Sequence, residues 1–191
     1  AMTVDNYLGT LSTAQLSLPK PNQELADEFK GSLAQAIELA ERRLKQNPND
    51  VGAMFDAGSA YGIEASYVAS VEGSITSAFR YARRAFDTQN EVLAHDPARA
   101  AAGLIVGTYR YIIATQPIVV RFFAWMAGFS GDKDKAFALL EAASHDPLSR
   151  VDAKTALILL YSREGRHSEA MRLAGELAAE LPRNRLFLLE Q

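Results

Sequence analysis

Four prolines punctuate this chain in similar phrases: QNPND at residues 46–50, AHDPAR at 94–99, SHDPLS at 144–149 and ELPRN at 180–184. Pro48, Pro97, Pro147 and Pro182 stand 49, 50 and 35 residues apart. Small residues keep step with them. Gly58 and Gly107 are 49 apart, as are Ala36 and Ala85, while Gly131 to Gly165 and Ala136 to Ala170 are each 34. Proline lacks the amide proton a helix interior needs and clashes with the preceding turn, so prolines in phase predict a chain cut into units of like build. Between them apolar residues recur every three or four positions, the period of a helix face. Leu25, Phe29, Leu33, Ile37, Ala40 and Leu44 make one such stripe; Ile75, Ala78, Phe79, Ala82, Phe86 and Val92 make another. An all-α fold is expected, with helices of about 12 to 22 residues.

Composition narrows what such a chain can do. At 191 residues it can bury a core without disulfides or metal, and 48% hydrophobic with 23% charged residues is the balance of an ordered domain. A net charge of −3 provides no basic field for nucleic acid. The absence of cysteine excludes disulfides, thiolate zinc sites and cysteine nucleophiles. The most apolar run, residues 111–129, contains Gln116, Pro117 and Arg121, whereas a spanning helix needs about 20 nearly unbroken apolar residues; no transmembrane segment is expected. No retained signal peptide is visible before Lys20, and Ala1-Met2 reads as a cloning remnant. The compartment stays open: cytoplasmic, or periplasmic or secreted after removal of a leader.

The spacing resembles the tetratricopeptide repeat, a helix–turn–helix unit of about 34 residues with the pattern W-x2-L-G-x2-Y, then A-x3-F, then Pro. The last unit carries Leu157, Tyr161, Gly165, Ala170 and Pro182, and departs at Lys154, Ile158 and Ala174. Earlier units carry Met54, Ala57, Gly58 and Tyr61, then Val106 and Gly107 with Arg110 in place of the Tyr. The likeness runs from about Gly31 to Arg183. It implies an α-solenoid of antiparallel hairpins, two elongated (51–95 and 98–146) and one standard (148–181). Residues 1–20 would form an arm or short helix, 21–183 the repeat domain, and 184–191 a capping or truncated helix rich in leucine. The surplus in the long units, shared between two helices, would lengthen each by about eight residues, roughly 12 Å. Short side chains let helix axes approach to about 8 to 10 Å, so Gly58, Gly107, Ala85, Ala136 and Ala170 are expected where helices cross.

Chemistry-bearing motifs are sparse. His95-Asp96-Pro97 and His145-Asp146-Pro147 pair an imidazole with a carboxylate, but Asp is also a favoured N-cap and Pro a favoured first helical residue; helix starts are the stronger expectation. Asp132 and Asp134 alternate with Lys133 and Lys135 and fall short of a calcium loop. No phosphate loop, nucleophile elbow or zinc-helix motif is present, so no catalytic, cofactor or metal residue is assigned and no enzyme activity is expected.

In the tetratricopeptide family the first helix of each pair lines a concave groove for peptides. Carried over by position, that face presents Phe55 and Ser59, then Leu104, Thr108 and Tyr111. In the last unit it presents Thr155, Leu159, Ser162 and Arg163. Arg163 would meet a carboxylate and Tyr111 an aromatic group. The expected function is a non-enzymatic scaffold binding protein or peptide. An alternative is an oligomerising or structural subunit whose apolar tip, Phe122, Phe123, Trp125 and Phe129 beyond the helix break at Pro117, meets a second copy or a membrane surface. A small-ligand pocket among the long hairpins is a further alternative.

Overall fold

The computed structural model describes residues 21–118, 121, 126 and 131–184, and these are helices and turns with no strand. Seven α-helices have both ends in that range: α1 Gln23–Gln46, α2 Val51–Ser70, α3 Ile75–His95, α4 Gly103–Ala114, α5 Lys133–Ala143, α6 Arg150–Arg163 and α7 His167–Glu180. A 3-10 turn, Ala100–Ala102, leads into α4. Each helix packs on the next, most extensively α2 on α3, α4 on α5 and α6 on α7, as hairpin-like pairs. The arm at 1–20, the tail at 185–191 and the tip residues Phe122, Phe123, Trp125 and Phe129 lie outside the described residues.

The four proline phrases build the same turn. In each, an amide three residues on donates to the carbonyl before proline: Asp50 to Asn47 at 3.0 Å, Arg99 to Asp96 at 3.1 Å, Ser149 to Asp146 at 3.2 Å and Asn184 to Leu181 at 2.8 Å. In three of them the side chain closes a second ring, with Asn47, Asp96 and Asp146 accepting from the amides of Asn49, Ala98 and Leu148. This corrects the helix-start expectation for the two His-Asp-Pro phrases. Asp96 and Asp146 bend the turn around proline, and α6 begins only at Arg150. True side-chain caps occur at Asn22, which accepts from Glu24 at 2.9 Å, at Asp50, which accepts from Ala53 at 2.9 Å, and at Asp132, which accepts from Lys135 at 3.0 Å.

The two glycines 34 residues apart are there for different reasons. Gly165 has φ +73°, and its amide and that of Arg166 reach back to Ser162 and Tyr161, a left-handed helix stop that suits glycine. At Gly131 the constraint is space: a Cβ would stand 2.4 Å from the amide nitrogen of Ala114. The chain there grazes the end of α4.

The two long units also differ from one another. In the first the surplus lengthens the helices, to 20 residues in α2 and 21 in α3 against 14 in each of α6 and α7. In the second, α4 has 12 residues and α5 has 11, so elongated helices are not found there. The surplus lies in the connection 115–132, where the chain leaves the helix before Pro117 and is helical again at Ile118, Arg121 and Met126.

The small residues sit at crossings. Ala85 and Ala136 are fully buried and Ala170 nearly so. A Cβ on Gly107 would lie 2.9 Å from the carbonyl oxygen of Ala136, and one on Gly103 would lie 2.7 Å from that of Leu139; α4 and α5 touch backbone to backbone. Around α5, α6 and α7, Leu140, Leu157 and Leu177 are buried, each stabilising the fold by about 1.5–3 kcal/mol. Lys154, which stands where the repeat pattern has an aromatic, buries its stem and extends its ammonium to Glu176 at 2.8 Å and Glu180 at 3.1 Å on α7. The stripe on α1 faces inward from Leu33 onward, with Ile37 and Leu44 packed against the core, and is exposed only at its start. Ala26, Leu33 and Ala40 face inward, while Leu25, Phe29 and Leu39 stay exposed, because α1 has only α2 as an extensive partner.

Candidate interaction groove

Three buried tyrosines tie neighbouring helices. Tyr61 on α2 donates to Glu41 on α1, and Tyr161 on α6 donates to Glu141 on α5 at 2.6 Å. The tie is the same in both places: the carboxylate is 20 residues earlier, and a guanidinium lies over the ring, Arg84 at 4.1 Å or Arg166 at 4.2 Å. Burial, then the adjacent carboxylate, pushes both hydroxyls up to about 12. Glu41 moves the opposite way, lowered by the Tyr61 hydrogen bond. Tyr111 on α4 makes a third tie, forward in the chain, to Glu164 at 2.7 Å, where Lys133 also binds.

That third tie removes Tyr111 from the surface proposed for it. Tyr111 is 1% exposed, with its ring edge-on to Phe137 at 5.9 Å, and cannot offer an aromatic face to a partner. One residue's rotation around α4 decides this. Thr108 and Ile112 point to one side while Gly107 and Tyr111 point toward α5.

On the first of those sides lies a cavity of about 820 Å³. Four residues expected at a groove border it: Phe55 and Ser59 from α2, Leu104 and Thr108 from α4. Thr155, Leu159, Ser162 and Arg163 all lie on α6 and none lines it; only the entry to α6, through Leu148, Ser149 and Asp152, closes that end. Exposed aliphatic side chains concentrate on its wall, with Ile63 at 51%, Ile112 at 44% and Leu148 at 74% exposure. Phe29 of α1 joins them, stacked on Tyr67 at 4.9 Å. Tyr109 also borders the cavity, and burial raises its hydroxyl pKa.

The cavity is bounded on its inner side by a residue that sequence reasoning did not single out. Gln89 of α3 is 1% exposed, and its Nε2 donates to the Phe55 carbonyl at 3.0 Å and to Ser59 Oγ at 3.1 Å. Its Oε1 is buried with no hydrogen-bond partner among the described residues. Gly58 makes room for it, since a Cβ there would stand 2.8 Å from Gln89 Cγ and Nε2. The signal was present in outline: Gln89 continues the buried line Ala78, Ala82, Phe86 down α3, the one amide in an apolar series.

The arrangement is suited to burying apolar side chains. Among the described residues no three metal-ligating side chains stand together, and no helix is long and apolar enough to cross a membrane. No protein-family model matches this chain, and neither does any curated protein or any solved structure.

Proposed function

We propose that this protein is a non-enzymatic, tetratricopeptide-like helical scaffold that binds a segment of a partner protein in the cavity between α2 and α4. The observation that carries this reading is the concentration of Ile63, Ile112 and Leu148, all exposed, on the wall of one 820 Å³ concavity. Exposed aliphatic side chains gathered in a hollow gain from being covered, at about 25 cal/mol per Å² of apolar surface removed from water, and a concave apolar wall with few polar groups is what a docked side chain requires.

The repeat character rests on the four equivalent proline turns, the recurring Tyr–Glu–Arg tie and the small residues at the crossings. The non-enzymatic reading rests on the titratable clusters. A general acid or base works best with a pKa near the operating pH, yet Tyr61 is pushed up to about 12 and Glu41 pushed down, each away from neutrality. Both then serve as ties.

A peptide-display selection on the full chain tests the reading. Selected peptides should bind the wild type and lose at least tenfold in affinity on Ile63→Asp or Ile112→Asp, both exposed positions at which the helical circular dichroism is expected to stay unchanged. Binding indifferent to both substitutions would refute a cavity site.

A further inference from the structure

Among the described residues the cavity has one formally charged side chain on its wall, Asp152, and it has no ionic partner there. Its position is the first turn of α6, where the helix dipole favours a carboxylate. Among the described residues it makes no ion pair, and no hydrogen bond to its carboxylate is found. Some acids elsewhere in the fold are paired, Asp50 and Asp56 with Arg43, Glu164 with Lys133, and Glu176 and Glu180 with Lys154; Asp152 is distinguished from other exposed acids by its place on the wall of the hollow. The basic residues nearest Asp152 in sequence are turned away, Arg150 to Glu180 and Lys154 to the same carboxylate and Glu176. At the Phe55 side of the cavity Arg99 lies 5.4 Å from the ring centroid, but its charge is already met by Asp96 at 3.5 Å.

We infer that the occupant of this cavity is an amphipathic peptide segment with a lysine or arginine placed to meet Asp152, its apolar side chains covering Ile63, Ile112 and Leu148. This rests on the scaffold reading above and adds the sign of the charge that is selected. Charge complementarity carries it. An apolar hollow with a single negative group at the rim rejects an acidic segment by repulsion and by leaving Asp152 without a counter-ion, and favours a basic one. The interior polar groups are compatible with a segment that brings donors: Gln89 Oε1, buried beside the hollow, is an acceptor whose need no described residue meets.

The test uses the full chain and peptides from a random display library. The expected result is enrichment of Lys or Arg beside two or more apolar residues, with about fivefold weaker binding of the best synthetic peptide to Asp152→Asn. The same peptide with its cation replaced by citrulline or norleucine should bind wild type and Asp152→Asn alike, closing a double-mutant cycle on that one contact. Peptides that depend on Ile112 but show no basic preference, or that bind Asp152→Asn as well as wild type, overturn the charge inference and leave the scaffold reading standing. Failure of every selected peptide to depend on either Ile63 or Ile112 overturns both. So does a concentration-dependent dimer in light scattering that Ile112→Asp abolishes, because a second copy then fills the hollow.

Discussion

The crossing of α2 with α3 and the crossing of α4 with α5 each turn on a glycine, and the two glycines do opposite things. Gly107 lets backbone meet backbone, with the Ala136 carbonyl where a Cβ would go. Gly58 admits a side chain, and the space is filled by Gln89, bonded to Phe55 and Ser59. One turn beyond each stands a buried tyrosine, but Tyr61 ties back to Glu41 of the helix before it, whereas Tyr111 ties forward to Glu164. Equal spacing in sequence therefore marks equal need for closeness and leaves the partner open. The first crossing also shapes the cavity wall; the second only holds two helices together.

Substitution separates the two crossings most sharply at Gly107. Gly107→Ala should cost about 2 kcal/mol by overpacking, the backbone of α5 being unable to yield cheaply, and chemical denaturation would read it as a lowered midpoint at unchanged slope. A cost below that of Gly58→Ala would mean that α4 and α5 slide apart freely, against the contact described. Gly58→Ala should cost less, about 1 kcal/mol, because a side chain and not a backbone must move. In a Gln89→Ala background the same change should become neutral or stabilising, since alanine also favours the helix by about 0.5–1 kcal/mol. Additivity of the two substitutions, measured as a double-mutant cycle, would separate Gly58 from Gln89.

The effect that stays hidden at neutral pH should be found in the ties, and it is a matter of pH. Tyr61 and Tyr111 are both raised to about 12 in the folded chain, chiefly by burial, from the ordinary tyrosine value of 10.0. A raised folded value means that the folded state holds the proton more tightly. This contribution is full below about pH 10 and is lost as pH climbs from there toward 12. Tyr61→Phe and Tyr111→Phe should each flatten the alkaline fall in stability by a similar amount, though their carboxylates lie in opposite chain directions. If tyrosinate absorbance places either ionisation near 10 in the folded protein, that tie is open in solution. At the acid end Glu41 and Glu164 are lowered, each by hydrogen bonds to its partners, so their contribution is present above the ordinary carboxylate range and lost as pH falls through it.

How far the site could be read in advance depends on the kind of residue. Phe55, Ser59, Leu104 and Thr108 were legible because first-helix positions at fixed spacing share a face, and they meet in one hollow. Tyr111 was misjudged because one residue turns a helix by about 100°, and at that angle Tyr111 faces Phe137 and Glu164. Arg163, three turns along α6 from Asp152, is exposed but distant from the hollow's lining. Gln89 and Asp152 escaped notice because a buried amide and an unpaired carboxylate gain meaning only from what surrounds them.

By itself, the sequence determined the all-helical class, the four proline turns and the positions where helices must come close, since these follow from backbone rules acting over a few residues: a missing amide proton, a missing Cβ, an apolar period of three to four. Tertiary structure decided the rest. Whether surplus residues lengthen helices or fill the connection 115–132, which carboxylate each tyrosine finds and where a hollow is left all depend on contacts between residues tens of positions apart, and no local rule carries that distance.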